Sequence, residues 1–138
     1  MTREEIIAFV KRHPVVYLAT TEGNKPHVRG MYLYRVDEDG IVFHTGRIKD
    51  LQKQLERNPD VELCCFSQEE NKQIRIAGRV EELKDEALKK EIVQNRPFLK
   101  PWVEEHGMDL LTVWKIRGGQ ATVWTMETNL APKEYIKL

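Results

Sequence analysis

Apolar positions along the chain change from helical spacing to strand-like runs after the first dozen residues. Ile6, Phe9 and Val10 form a helical stripe. Thr2 and Glu5 make a capping-box pattern ahead of that stripe. The runs VVYLAT, HVRGMYLYRV and IVFHT then alternate with the turn-forming segments TEGNKP and DEDG. This pattern predicts one helix followed by three hairpin-linked strands.

Helical spacing returns in the middle of the chain. Ile48, Leu51 and Leu55 share one helical face, so we expect a helix over residues 47–58 that ends at an Asn-Pro pair. The segments VELCCFS and QIRIAGRVEEL then resume the strand pattern. They predict two further strands after this helix.

The last third of the chain is expected to hold two helical segments and a hairpin. KDEALKKEIVQNRP has the pattern of a charged amphipathic helix, and FLKPWVEEHG that of a short helix interrupted by Pro101. DLLTVWKIRGGQATVWTM predicts two strands that turn at Gly118 and Gly119. No repeat or linker interrupts the chain, so residues 1–138 are predicted to form a single domain.

This order of elements favours an α+β fold that is mainly β. About six to seven short antiparallel strands with helices at the periphery are expected. So many short strands in so small a domain favour closure of the sheet into a barrel.

Composition limits the partners that the protein can have. The 22 basic residues balance the 22 acidic ones, so the formal net charge is zero and any anion site must be local. This argues against a nucleic-acid partner. No run approaches the roughly 18 apolar residues of a membrane span, and Cys64 and Cys65 are adjacent, which gives no disulfide framework. We therefore expect a cytoplasmic protein with no membrane partner.

The segment FHTGRIKD places a hydroxyl group and two cations where a predicted strand gives way to a helix. Thr45 can donate its hydroxyl, Gly46 allows close approach of a ligand, and the first amides of a helix are unpaired. Arg47 and Lys49 add charge, although each cation at a helix N-terminus opposes the helix dipole by roughly a few tenths of a kcal/mol. A phosphate monoester suits this combination. The alternative is a capped helix with a solvated first turn.

Arg29 is a further candidate because its strand is expected to pair with the strand that carries Thr45. Strand alternation puts His27, Arg29 and Met31 on one face. Gly30 weakens a strand unless something must approach the backbone, for example a flat ring. The alternative for Arg29 is an exposed cross-strand partner.

Other chemistry is not indicated by the residue spacing. The chain has four scattered histidines: His13, His27, His44 and His106. They lack the short spacing of metal ligands, so we predict neither a metal site nor a catalytic side chain. Among the tryptophans, Trp124 is the one that we expect near a ligand, and Trp102 and Trp114 are expected to be core or interface anchors.

The chain from Val15 to Leu83 resembles the FMN-binding split β-barrel of the pyridoxamine 5'-phosphate oxidase-like superfamily (FMN, flavin mononucleotide). The resemblance rests on GNKPHVR, FHT, the basic helix start, NPDV and QIRIAGR in that order. It implies an antiparallel split barrel that forms a homodimer, with one FMN at each end of the interface.

The resemblance also implies which residues bind FMN. Its phosphate and ribityl chain would be held by four residues: Arg29, Thr45, Arg47 and Lys49. Its isoalloxazine ring would lie along the backbone of four: Arg29, Gly30, Met31 and Tyr32. His44 would lie at the ring edge, and Gln73 would reach the flavin from the partner subunit.

The chain departs from the pyridoxamine 5'-phosphate oxidases in two places. Tyr34 stands where those enzymes tend to carry a lysine for the cofactor, and the tail NLAPKEYIKL lacks the Arg and His of the R-x-H segment that helps them bind the substrate. We therefore expect an FMN-dependent oxidoreductase with a small-molecule substrate other than vitamin B6. The alternative is a non-catalytic module that binds, stores or senses a flavin, haem or deazaflavin.

Overall fold

The computed structural model describes residues 1–138 as a curved, eight-stranded antiparallel sheet surrounded by four α-helices. The strands are β1 (Val15–Glu22), β2 (Lys25–Tyr32), β3 (Arg35–Asp37), β4 (Gly40–Gly46), β5 (Asp60–Ser67), β6 (Lys72–Leu83), β7 (Leu111–Trp124) and β8 (Ile136–Lys137). The helices are α1 (Arg3–Arg12), α2 (Asp50–Arg57), α3 (Glu86–Asn95) and α4 (Lys100–His106), with 3-10 turns at Pro97–Leu99 and Met108–Leu110. The predicted α+β class is confirmed.

The sheet begins and ends on two strands that are consecutive in sequence. Its order is β2-β1-β5-β6-β7-β4-β3, and β8 pairs with β7. The two edges meet where Tyr34 donates its backbone N–H to the carbonyl of Val42 at 2.8 Å. Beyond that contact β2 and β4 form no ladder with each other. The sheet is therefore a barrel that stays open on one side, as predicted.

Helix α1 closes one end of the barrel. Ile6, Phe9 and Val10 are fully buried in the large apolar cluster that fills the barrel interior. The hydroxyl of Thr2 accepts the backbone N–H of Glu5 at 3.1 Å, so the expected N-cap is present. The first predicted helix is confirmed, and a smaller apolar cluster lies between α3, α4 and the sheet.

Helix α2 is attached to the sheet through buried amide side chains. Gln52 accepts hydrogen bonds from Thr112 Oγ1 at 2.7 Å and from Trp114 Nε1 at 3.0 Å. Gln54 accepts one from Thr20 Oγ1 at 2.6 Å. A buried polar group that loses its partner costs roughly 1–3 kcal/mol, so these bonds hold α2 in one position. The segment that precedes α2 is fixed with it.

Two predictions about the strands are wrong. HVRGMYLYRV predicted one strand, but the chain leaves β2 after Tyr32, buries Leu33 and begins β3 at Arg35. The hairpin predicted at Gly118 and Gly119 is absent, because β7 runs through both. A Gly-Gly pair indicates a turn in the sequence, but here it accommodates a positive φ of 57° at Gly118 beside a bulge in the β6–β7 ladder.

We expect the substitution Gly119→Ala to lower the free energy of unfolding by about 1–3 kcal/mol. A Cβ atom at Gly119 would lie 2.8 Å from Cγ2 of the buried Ile76 and 3.0 Å from the carbonyl oxygen of Ala77. Neither neighbour is the free end of a flexible side chain. The measurement is chemical denaturation followed by circular dichroism.

Gly30→Ala is the matched control, since a Cβ atom there meets nothing within 4 Å. It should change the unfolding free energy by no more than about 0.5 kcal/mol. Equal effects of the two substitutions would show that close packing at Gly119 does not matter for stability.

Candidate functional site

A cavity of about 420 Å³ lies between β2 and β4, where these strands diverge. The chain from the end of α3 through α4 forms its other wall. Its volume lies within the range of roughly 300–1,000 Å³ that is usual for small-molecule and cofactor sites. We call it the split cavity. Its lining includes six of the predicted site residues: Gly30, Met31, Tyr32, His44, Thr45 and Lys49.

Arg96, directly after α3, bridges the two strands where they begin to diverge. Its guanidinium donates to the backbone carbonyls of Tyr32 at 3.1 Å and Leu33 at 2.8 Å. Its Nη1 also lies 2.8 Å from Nε2 of His44. Burial lowers the pKa of Arg96, and no carboxylate pairs with it. A buried cation without a counter-ion makes this part of the cavity electropositive.

His44 is held neutral by its surroundings. Burial is the main cause that lowers its pKa to about 4, and the positive charges of Arg96 and Lys49 lower it further. The ordinary value is 6.5. At neutral pH the imidazole therefore carries no charge and can act only through its hydrogen bonds.

The corner between β4 and α2 contains polar groups that have no partner in the chain. The hydroxyl oxygen of Thr45 is buried without a hydrogen bond. The amide of Ile48 donates to no backbone carbonyl. Lys49 is the N-cap residue of α2, forms no side-chain cap, and packs its methylene groups beside Gly46. These unpaired donors at a helix N-terminus are suited to an anion.

Arg47 does not line the split cavity. Its backbone N–H donates to the carbonyl of Leu110 at 2.8 Å, its Nε to that of Asp109 at 3.0 Å, and its Nη2 lies 3.4 Å from Glu82. The helix expected from residue 47 begins at Asp50 instead, so Arg47 belongs to the preceding turn rather than to the first helical turn. Its backbone N–H, Nε and Nη2 are therefore used within the chain.

The structure also keeps the side chain of Arg29 out of the split-cavity lining. The guanidinium donates to Leu18 O at 3.1 Å, Thr20 Oγ1 at 2.8 Å and Gln54 Oε1 at 2.6 Å. The expected pairing of its strand with the strand of Thr45 is wrong, because β2 pairs only with β1. The two strands face each other across the cavity instead, since they are close to the two ends of the sheet order.

Gln73 and Trp124 lie elsewhere on the same chain. They face each other across the β6–β7 ladder and line a second cavity of about 510 Å³ beside the C-terminal tail. They are not brought to the split cavity within one chain. The ten predicted residues thus fall into three places: the split cavity, the contacts around α2 and the β6–β7 surface.

The cavity wall between the end of α3 and α4 was not predicted from the sequence. Arg96, Phe98, Trp102 and His106 all line the split cavity. Arg96 was assigned to a charged amphipathic helix, and the other three to a short helix interrupted by Pro101, with Trp102 expected to be a core or interface anchor. One signal was present in the sequence, because the proline that follows Arg96 disfavours a helical conformation at Arg96. In the structure Arg96 has φ −127° and ψ 73°, so the helix ends there.

Other functional groups are sparse in the structure. No helix is both long enough and apolar enough to span a bilayer. No three His, Cys, Asp or Glu side chains come together as a possible metal site. Burial raises the pKa of both thiols, and that of Cys65 to about 12, so neither is a thiolate at neutral pH.

The family model described as pyridoxamine 5'-phosphate oxidase matches residues 2–125 of the chain. A pyridoxine/pyridoxamine 5'-phosphate oxidase of Neisseria meningitidis is 31% identical over 96 residues, which make up 69% of this chain and 45% of that protein. The chain spans less than half the length of the curated relatives that it matches.

Solved structures share the whole architecture. A NimC/NimA family protein of Clostridium acetobutylicum superposes with a TM-score of 0.77 at 23% identity, over 98% of this chain and 92% of that one. A pyridoxamine 5'-phosphate oxidase-related, FMN binding protein of Nostoc punctiforme gives a TM-score of 0.66 at 14% identity, over 99% and 96% of the chains. These likenesses confirm the split-barrel fold.

We expect the protein to lose stability as the pH falls from about 6.5 to about 4, partly because of His44. Its pKa is lower in the folded chain than in the unfolded chain, so the unfolded chain binds the extra proton first. The contribution of neutral His44 to the free energy of unfolding is fully present above pH 6.5. As the pH falls toward 4, up to about 3 kcal/mol of it is lost. Urea unfolding across this pH range should show that the free energy of unfolding falls less steeply with decreasing pH in His44→Gln than in the wild type. An equal pH dependence of the two proteins would contradict the lowered pKa of His44.

Proposed function

The chain belongs to the pyridoxamine 5'-phosphate oxidase family, and on that premise we propose that it is an FMN-dependent oxidoreductase that acts on a small molecule as a homodimer. The observation that carries this proposal is the split cavity. There Thr45, whose hydroxyl has no partner in the chain, and the cationic residue Lys49 line the same volume as Gly30, beside whose Cβ position nothing lies within 4 Å.

The corner between β4 and α2 fits the phosphate group of FMN. A phosphate monoester offers three acceptor oxygens and nearly two negative charges at neutral pH. Thr45 Oγ1 and the Ile48 amide would donate to those oxygens, and Lys49 would supply the charge. Lys49 forms no ion pair within the chain that would have to be broken first.

The wall around Gly30 fits a flat ring. Gly30 has no neighbour within 4 Å at its Cβ position, and Met31 and Tyr32 continue the same wall. Bound flavin would supply the hydride or electron transfer, while the protein fixes the ring and tunes its potential. Arg96 and Lys49 would favour an electron-rich occupant, because the cavity lining holds two cations and no carboxylate.

We place the substrate outside vitamin B6 chemistry. The hydroxyl of Tyr34, which stands at the lysine position of the related oxidases, is bonded to Glu91 and Asn95 and does not line the split cavity. The tail packs against the second cavity and brings neither an arginine nor a histidine to the first. Neither the lysine that the related oxidases carry for the cofactor nor their R-x-H segment, which helps bind the substrate, has a counterpart in the lining of the split cavity.

The homodimer proposal is supported by an exposed apolar face of the sheet. It is formed by Val15, Tyr17, Val28, Tyr32 and Phe66, which are 45–68% exposed. Apolar patches of this kind often mark protein interfaces.

The strand register links this apolar sheet face to both cavities. Tyr17 lies between Gly30 and Cys64, and Phe66 faces Gln73. A two-fold pairing through the face would bring Gln73 and Trp124 of one protomer toward the split cavity of the other. Each FMN site would then contain residues of both subunits.

A non-catalytic flavin module is the second candidate. The lining of the split cavity contains no carboxylate and no thiol, so its chemistry depends on whatever it binds. Turnover of reduced nicotinamide with an artificial acceptor separates an enzyme from a carrier. A bound flavin that no reductant reduces would favour the carrier, and a bound haem or deazaflavin would show a different spectrum and mass.

The first test is the absorption spectrum and mass of the cofactor that copurifies from cells supplied with riboflavin. A yellow protein that releases FMN is expected. A colourless preparation that also fails to quench the fluorescence of added FMN would overturn the proposed function.

Lys49→Ala should weaken FMN binding at least about tenfold, because a charge-assisted contact contributes roughly 1.5–3 kcal/mol. Riboflavin, which lacks the phosphate, should bind nearly as before. Lys53→Ala removes the same charge from the exposed side of α2 and is the matched control. Fluorescence titration measures the affinities of the wild type and of both variants for the two ligands, and an equal loss for both ligands in Lys49→Ala would contradict a phosphate contact.

A mixture of two defective variants should recover FMN binding if the site is shared between subunits. Gly30→Leu fills the open wall, and the double variant Gln73→Leu/Trp124→Ala removes the proposed contribution of the partner. Co-expressed chains should bind FMN at about a quarter of the wild-type level, since half of the dimers are mixed and each has one intact site. Chains that carry all three substitutions should not recover. Wild-type binding by the double variant alone would exclude a shared site.

A further inference from the structure

The contact between Arg96 and His44 determines where the imidazole carries its proton. Nη1 of Arg96 lies 2.8 Å from Nε2 of His44. A guanidinium has only donors and does not lose its proton in proteins. Nε2 must therefore be the acceptor, and in the neutral ring the proton lies on Nδ1.

Arg96 cannot easily turn away from this contact. The other hydrogen bonds of its guanidinium go to the carbonyls of Tyr32 and Leu33, at 3.1 and 2.8 Å. The ring of Tyr32 lies 4.2 Å from the central guanidinium carbon of Arg96. Arg96 is only 9% exposed. Because two of these partners are backbone carbonyls and Arg96 itself is buried, the donor that faces His44 is fixed in place.

The opposite nitrogen of His44 is free. Nδ1 has no hydrogen-bond partner in the chain, although His44 lines the split cavity. The charged or titratable groups that share this lining are Arg96, Lys49 and His106, together with the phenol of Tyr32. None of them is a carboxylate that could accept the Nδ1 proton.

We propose that Arg96 is a positioning residue that fixes His44 as the Nδ1–H tautomer, so that the ring donates a hydrogen bond to an acceptor atom of the molecule bound in the split cavity. Only the identity of that molecule rests on the proposed function. His44 then acts as a fixed donor rather than as a base. Its partner would be a carbonyl oxygen, a ring nitrogen or a carboxylate oxygen.

Nitrogen-detected NMR of ¹⁵N-histidine-labelled protein without ligand tests the tautomer at neutral pH. The His44→Gln spectrum identifies the His44 signals. Nδ1 should show the shift of a protonated nitrogen and Nε2 that of an unprotonated one. The reverse pattern in the wild type would overturn the proposal, and the spectrum of a second variant, His44→Phe, identifies the same signals if His44→Gln does not fold.

Substitutions at Arg96 test whether that residue sets the tautomer. Arg96→Lys retains a cationic donor and should keep the Nδ1–H form, whereas Arg96→Leu should yield a mixture of tautomers and a His44 that titrates at higher pH. Arg35→Leu removes an exposed arginine that contacts Glu91 and the ring of Tyr34 but not His44, and should change neither property. An unchanged tautomer in folded Arg96→Leu would show that Arg96 is not the cause.

FMN is the probe that tests whether Nδ1–H of His44 donates a hydrogen bond to a molecule in the split cavity. Adding it should shift the Nδ1 signal of His44, and His44→Phe should bind FMN roughly five- to tenfold more weakly, as expected for one neutral hydrogen bond. His27→Phe, outside the cavity, is the control. FMN that binds without changing the Nδ1 signal would overturn the donor role. If FMN does not bind at all, the proposed function fails, while the ligand-free tautomer still decides the role of Arg96.

Discussion

The hydrogen bonds of Arg96 act at the point on which the rest of the site depends. Because β2 and β3 are consecutive in sequence but lie at opposite ends of the sheet order, the sheet has to bring its two edges together at residues 33–34. From there β2 and β4 diverge, and Arg96 joins them through the carbonyls of Tyr32 at the end of β2 and of Leu33 just after it, and through the imidazole of His44 in β4. The cavity exists because the sheet cannot close, and Arg96 fixes where the opening begins.

The groups that stabilise the buried positive charge of Arg96 determine what kind of molecule the cavity can hold. A buried cation needs partners, and burying one without them is costly. Arg96 obtains them from carbonyl dipoles and from the faces of Tyr32 and Tyr34, at 4.2 and 5.2 Å. None of these partners carries a negative charge. The positive charge is therefore stabilised but not neutralised, and an anionic or electron-rich occupant is favoured.

Local patterns in the sequence predicted most elements but not their long-range pairing. The capped stripe of α1 and the alternation of β1, β5 and β6 are properties of neighbouring residues, and they were predicted correctly. The partner of β2 depends on how the whole sheet curls, so alternation showed which face Arg29 occupies but not what faces it. The predicted hairpin at Gly118 and Gly119 was wrong for a similar reason. A glycine pair permits a turn or a bulge, and only the ladder with β6 decides between them.

Two of the three cations predicted to hold a phosphate, Arg29 and Arg47, contact residues around α2 instead of lining the split cavity. Arg29 contacts Gln54, and Arg47 contacts Glu82, which also accepts a hydrogen bond from Gln52. Both cations therefore support α2 rather than line the cavity. Because Lys49 is the N-cap residue of α2, anything that fixes this helix also fixes the position of Lys49. The spacing of such cations in the sequence is the same whether they contact the ligand or the helix that presents it, and only the folded chain separates the two roles.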